Sequence, residues 1–186
     1  MFKDECSQLG MQVPYFIASN SHLRQEDPRK TGFDSTLNFE PQLSVAPYFM
    51  DDKPRFAKFK HNLRRGILST RLKVYDFSDV KERMFSRVFS YPSFPCSVVN
   101  WDNSPRRGID GIIFKNGSPE LFKKYLLSSI KIFTSMEFSD NENLVMINAW
   151  NEWAEGNHLE PDKKFGFGYL EALKEVIEEI NGKNES

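Results

Sequence analysis

Cysteine is scarce in this chain. Cys6 and Cys96 are the two present, and they form neither a metal-ligand spacing nor a disulfide framework. That usage fits a reducing compartment, so a cytoplasmic location is expected. Charge of one sign is lacking too: the formal net charge is −1, which argues against a nucleic-acid binder. No apolar run approaches the about 18 residues of a membrane span. The start, Met1-Phe2-Lys3-Asp4-Glu5, has no basic segment leading into an apolar one, so no secretory signal is expected. Neither a His-Glu-x-x-His motif nor a Cys/His cluster occurs, and no catalytic metal or other cofactor is expected. An Asp-x-Asp metal motif and a glycine-rich phosphate loop are also missing, which disfavours a nucleotide-sugar transferase.

Aromatic residues are plentiful, at 14% with 17 Phe, enough for a dense core or a carbohydrate groove. Apolar runs predict strands at residues 13–19, 71–77, 96–101 and 144–150, with a weaker, polar candidate at 36–39. Between them lie helical patterns. Ser78 is placed to cap a helix carrying Val80, Met84 and Val88. Ser118-Pro119 predicts an N-cap and first helical position ahead of Phe122, Leu126, Ile130 and Phe133. A last helix carries Leu170, Leu173, Val176, Ile177 and Ile180 and is expected to stop at Asn181-Gly182.

Strands separated by helices indicate parallel βα units in a single domain over 1–186. Residues 20–70 and 102–117 read as long loops after strands, where barrel-type enzymes keep their active sites. A closed barrel needs eight strands and only four or five are countable. The pattern therefore suits an open α/β sheet, or the C-terminal part of a barrel whose first half is absent.

The segment from Trp150 to Pro161 directly follows the apolar run at 144–149 and holds two tryptophans and a Glu-x-x-Glu pair. Indole faces stack on the apolar faces of sugar rings, and paired carboxylates are the usual machinery for breaking glycosidic bonds. On a continuous strand Glu152 and Glu155 would point to opposite faces. On a turn their Cβ atoms come within about 5–6 Å. The strand must therefore end near Trp150 or Asn151, with Gly156 permitting a sharp turn. So close a pair suits retaining rather than inverting chemistry. The competing reading puts Trp150 and Trp153 in the core and the glutamates in salt bridges to lysines. Asn151 belongs to the same corner. His158 can tune a carboxylate, bond a sugar hydroxyl or satisfy a loop carbonyl, and Glu160-Pro161-Asp162 reads as a solvated turn.

A second candidate follows another strand. Trp101 can stack on sugar, Asp102 and Asn103 can bind hydroxyls, and Arg106 can hold an anion. In a parallel architecture this segment shares a rim with the glutamates. The alternative is an internal Asp102–Arg106 ion pair that shapes the loop. Lys53, Arg55, Lys58, Lys60, Arg64 and Arg65 read as a solvated helix face rather than a phosphate site, and Asn20-Ser21-His22 is a minor candidate for substrate contact.

The run Ile147-Asn148-Ala149-Trp150-Asn151-Glu152-Trp153-Ala154-Glu155-Gly156-Asn157-His158-Leu159-Glu160-Pro161-Asp162, with Phe165-Gly166-Phe167-Gly168-Tyr169 after it, resembles the WbsX family of glycoside hydrolase family 99-like proteins. The segment from Trp101 to Arg106 and Gly32-Phe33-Asp34 are similar to that family as well. The family is described as glycosyltransferases of lipopolysaccharide or capsule biosynthesis.

The resemblance implies a (β/α)8 barrel of the TIM type, of which this chain is the C-terminal half, acting on a glycan. By position, Glu152 resembles the base that deprotonates the sugar 2-hydroxyl. Glu155 resembles the acid that protonates the leaving oxygen. It implies Glu155 protonated and Glu152 ionised at rest. Two departures stand out. The family's members are longer, and Ala154 occupies a place where the hydrolases commonly carry a histidine. The expected function is a carbohydrate-active enzyme, with a truncated, non-catalytic glycan-binding remnant as the alternative. An open half-barrel also exposes sheet edges and is expected to self-associate.

Overall fold

The structure, a computed structural model, describes residues 2–20, 27–41, 72–85, 90–134 and 144–184. After helix α1 (Phe2–Gln8) the chain forms a run of short parallel strands. β1 (Ile17–Asn20) pairs in parallel with β2 (Ser35–Asn38), from Ile17 opposite Ser35 to Asn20 opposite Asn38. β2 pairs with β4 (Ser93–Phe94), and β5 (Cys96–Val98) pairs with β7 (Met146–Asn148). Pro95, which has no N–H to give a ladder, separates β4 from β5 and passes the pairing from β2 to β7. Its carbonyl accepts Met146 N at 3.1 Å, so the line of strands continues across the break.

Two expected strands form here, and the expected loop at 102–117 changes. The polar candidate at 36–39 is a strand of this central run, with Ser35 and Thr36 buried. The more apolar one at 71–77 is a strand outside it. β3 (Lys73–Asp76) pairs in parallel with β6 (Ile112–Lys115), a strand inside the stretch read as a loop. The chain leaving β5 then runs antiparallel beside β6, with Phe114 N donating to Trp101 O at 2.7 Å and Asn103 N to Ile112 O at 3.1 Å. Hydrophobicity marked residues able to form strands. Which strand holds the centre depends on partners on both sides, and composition does not carry that.

The helices pack on these strands in two apolar clusters. α2 (Phe77–Phe85) follows β3 and buries Phe77 and Val80 with Val98, Trp101, Phe114 and Tyr125. Its cap is Asp76, whose Oδ1 accepts Ser78 N at 3.1 Å, so Ser78 lies inside the helix rather than capping it. Val88 lies outside the described residues.

α4 (Pro119–Thr134) starts where expected, with Ser118 Oγ accepting Leu121 N at 3.3 Å. It buries Phe122 and Leu126 against Val99, Leu159, Tyr169, Ala172 and Val176. α5 (Gly168–Asn184) packs along it and runs past the expected stop at Asn181-Gly182. Ile177 is half exposed rather than part of the buried stripe. A Cβ on Gly168 would lie 2.9 Å from Pro119 Cγ, so a glycine there lets the two helix starts approach. Asp34, in the segment resembling the family, is structural: Lys3 and the Phe16 amide both donate to it. Those bonds, Lys3 first, hold its carboxyl below the usual carboxylate range.

Among the described residues no helix is long and apolar enough to cross a membrane. The basic stretch from Lys53 to Arg65, with Ser21 and His22, lies outside the described residues.

Candidate functional site

The parallel strand β7 ends at Asn148, two residues earlier than the catalytic reading requires, and the chain then enters a tight turn. β8 (Asn151–Glu152) pairs antiparallel with β9 (Asn157–His158), and Trp153–Glu155 forms a single 3-10 turn between them. Gly156 closes it in the left-handed region at φ 57°, its N–H on Trp153 O at 3.1 Å. A Cβ there would also press on Asp102, 3.2 Å from its Cβ. Glu152 and Glu155 therefore flank one turn at the C-terminal side of the strands.

The two tryptophans are not core. Trp150 is 55% and Trp153 50% exposed. The Trp153 ring lies on the His158 imidazole, centroids 3.8 Å apart and planes 15° from parallel. Its Nε1 donates to Glu160 Oε2 at 2.6 Å. His158 in turn has Nε2 3.4 Å from Asp162 Oδ2. Burial works against the charge of Asp162. Amides of Phe165 and Lys164 donating to its Oδ1, at 2.6 and 2.7 Å, and His158 outweigh that and hold its carboxyl below the usual range. Glu160-Pro161-Asp162 is thus a brace behind Trp153, not simply a solvated turn. Spacing alone did not indicate it, because the indole and imidazole meet only once β8 and β9 pair.

Neither glutamate bonds a lysine among the described residues. Glu155 accepts from Arg106 Nη1 at 3.0 Å, and its backbone carbonyl accepts Asp102 N at 2.7 Å. The segments after β5 and β7 thus meet at one edge. The Asp102–Arg106 pair does not form; Asp102 Oδ1 instead takes Ser104 N and Oγ, at 2.9 and 2.6 Å, and starts the short helix α3 (Ser104–Arg107).

Trp101 is a correction. It is 5% exposed and packed with Phe77, Val98, Phe114 and Tyr125, so its faces are covered by protein and it cannot stack on sugar. Asn103 is buried as well, its Oδ1 on Ile112 N at 2.7 Å. Asn20 is buried beside β2, its carbonyl accepting Phe39 N.

Asn157, which no sequence motif singled out, holds the turn from below. It is fully buried, and its Oδ1 accepts Val99 N at 3.2 Å and Asn100 N at 3.4 Å. No group of three or more His, Cys, Asp or Glu side chains able to hold a metal occurs among the described residues.

The family described as Glycosyltransferase WbsX matches residues 1–173. The chain belongs to the WbsX family. Proteins named "Uncharacterized protein WxcX" in two strains of Xanthomonas campestris pv. campestris are each 30% identical to it over 158 residues. The match takes in 83% of this WbsX chain and 21% of either relative, so the chain spans about a fifth of their length. A solved structure titled "Glycoside hydrolase-like protein" superposes with a TM-score of 0.52 at 13% identity. It covers 94% of this chain, which corresponds to 47% of the solved one. At that identity the likeness is one of fold: this WbsX chain shares an α/β framework with a glycoside hydrolase-like protein.

Proposed function

We propose that this WbsX chain is the C-terminal half of a (β/α)8 barrel that makes or breaks glycosidic bonds in bacterial surface polysaccharide, with Glu152 and Glu155 as its carboxylate pair. The observation that carries the reading is the placement of both glutamates around one turn, beyond the C-terminal ends of parallel strands, in a segment that also bears two exposed indoles. Active sites of barrel enzymes lie at that end. The chain order β1, β2, β4/β5, β7 along the parallel run supports the half-barrel assignment.

In this reading Glu152 removes the proton of the sugar 2-hydroxyl. The freed oxygen attacks its own anomeric carbon while the bond to the leaving oxygen breaks, and Glu155 protonates that oxygen. Water or an acceptor hydroxyl then gives its proton to Glu155 and bonds the anomeric carbon. The three-membered ring opens and Glu152 returns the proton to the 2-oxygen. Two inversions leave the anomeric configuration unchanged. Trp150 and Trp153 stack on the sugar, while Asn151 and Asp102 bind hydroxyls. His158, with both ring nitrogens buried, supports the Trp153 indole from behind and does not reach the sugar.

Arg106 carries only donors, so Glu155 gives up a proton only from an oxygen turned away from the guanidinium, or after leaving it. The Arg106–Glu155 pair is then a resting arrangement that an incoming leaving group displaces.

The test is cleavage and transfer on mannose-containing and surface-polysaccharide oligosaccharides by the protein extended to its complete barrel, beside Glu152→Gln and Glu155→Gln. Both variants lose at least about a hundredfold in rate, the scale of a lost general acid or base, and the product retains configuration. Activity that survives both substitutions assigns the chemistry elsewhere and leaves the turn as a glycan-binding corner.

A further inference from the structure

Lys81 is the least expected residue of the core. It lies on α2 at 1% exposure, its Nζ donating to Val98 O at 2.8 Å and standing 5.1 Å from the Phe77 ring centre. Among the described residues the titratable groups acting on it are Glu40, buried just past β2, and the buried thiol of Cys96 on β5. Tyr125, from α4, packs on Phe77 beside it, with its hydroxyl on Ser78 O. A buried amine costs free energy whenever it is charged, and an apolar chain of the same volume would not.

What the amine holds is one peptide unit. Val98 O, its acceptor, and Val99 N belong to the same peptide bond. Val99 N donates to Asn148 O at 3.1 Å and to Asn157 Oδ1 at 3.2 Å. Asn148 Nδ2 donates to Glu40 O at 2.7 Å, and Asn157 pairs with Glu152 across β8 and β9. Hydrogen bonds in series polarise one another: a charge on the carbonyl side of a peptide strengthens the donor on its N–H side. The amine of Lys81 thus bears on the ends of β2, β5 and β7 and on the base of the Glu152–Glu155 turn.

We propose that Lys81 is a positioning residue for that turn, and that gain or loss of its proton tightens or loosens the bonds from the Val98–Val99 peptide to Asn148 and Asn157. Burial, stronger than the opposing pull of Glu40 and Cys96, brings the amine down to about 7, so the change falls at neutral pH. Burial pushes the Cys96 thiol up, which keeps it uncharged in that range. The consequence for glycan chemistry rests on the carboxylate reading above, whereas the hydrogen-bond coupling does not.

The experiment is nuclear magnetic resonance on the labelled chain without any glycan. It follows the Lys81 amine and the Val99, Gly156 and Asn157 amides across neutral pH. The three amides shift with the midpoint of Lys81, and Val99 N–H exchange with solvent slows about tenfold on its protonation. Lys81→Met flattens all three curves. Should that variant not fold, Glu40→Gln lowers the Lys81 midpoint by about one unit, the scale of a lost opposite charge nearby, and the amides follow it. Amide titrations that survive Lys81→Met, or that stay in place when Glu40→Gln moves the amine, assign the effect to another group and overturn the proposal. A Lys81 that stays protonated well above neutral pH overturns it too. If the coupling is present while Glu152→Gln and Glu155→Gln leave glycan turnover intact, the positioning role stands and the catalytic reading fails.

Discussion

Arg106 and Glu155, 49 residues apart in sequence, meet with Nη1 3.0 Å from Oε1 at the edge where the segments after β5 and β7 converge. Arg106 is mostly exposed and Glu155 is not, so solvent weakens what the pair contributes to folding while one glutamate is held in a fixed place. An exposed ion pair of this kind contributes about 0–1 kcal/mol.

Arg106→Ala therefore changes the urea-unfolding free energy by less than about 1 kcal/mol. Under the proposed function the same variant, in the complete barrel, turns over its glycan about tenfold more slowly, because Glu155 loses its orientation. Initial rates beside urea melts separate the two effects. A large loss of stability with unchanged rates would make Arg106 a structural strut.

Asn157→Ala is the opposite case. The side chain is fully buried and its Oδ1 serves the Val99 and Asn100 amides. Removing a buried acceptor leaves donors less well paired and costs about 1–3 kcal/mol. Thermal and urea melts read this directly. The near-ultraviolet circular dichroism of the indoles changes with it, since the turn bearing Trp153 loses its footing.

Lys81 gives the protein a pH-dependent stability of definite sign. Its amine titrates at about 7 when folded, against 10.5 for an unburied lysine. Above about 10.5 the amine is neutral in both states and burial costs nothing for charge. As pH falls from there towards 7, the unfolded chain takes up a proton that the folded chain does not, and stability drops. Below 7 both states are protonated and the deficit is constant. Between pH 10 and pH 6 the wild type accordingly loses about 4 kcal/mol more than Lys81→Met. Urea melts of the two proteins at both pH values check this, and parallel curves would mean that the amine is solvated.

The chain by itself is expected to associate. Among the described residues β1 pairs on one side only, with β2, and Leu9, Met11, Val13 and Tyr15 ahead of it are exposed. An open strand edge beside apolar side chains is a template for pairing. Sedimentation gives a dimer or larger species for the isolated chain and a monomer once the rest of the proposed barrel is joined to it. A monodisperse monomer of the isolated chain would show that this edge is already protected.

Sequence is most legible where one short segment decides the outcome. Ser118-Pro119 starts α4 because capping needs only adjacent residues, and Gly156 turns the chain because a left-handed φ is a property of one position. The turn that carries Glu152, Trp153 and Glu155 is legible for the same reason: an end to the apolar run followed by a glycine predicts a turn. Tertiary structure alone decided the rest. It buried Trp101, sent Arg106 to Glu155 rather than Asp102, made polar Ser35–Asn38 a central strand and set the Lys81 amine on the Val98 carbonyl. Each of these depends on which distant segments become neighbours. A residue's own chemistry fixes what it can bond, and only the packed chain fixes which partner is within reach.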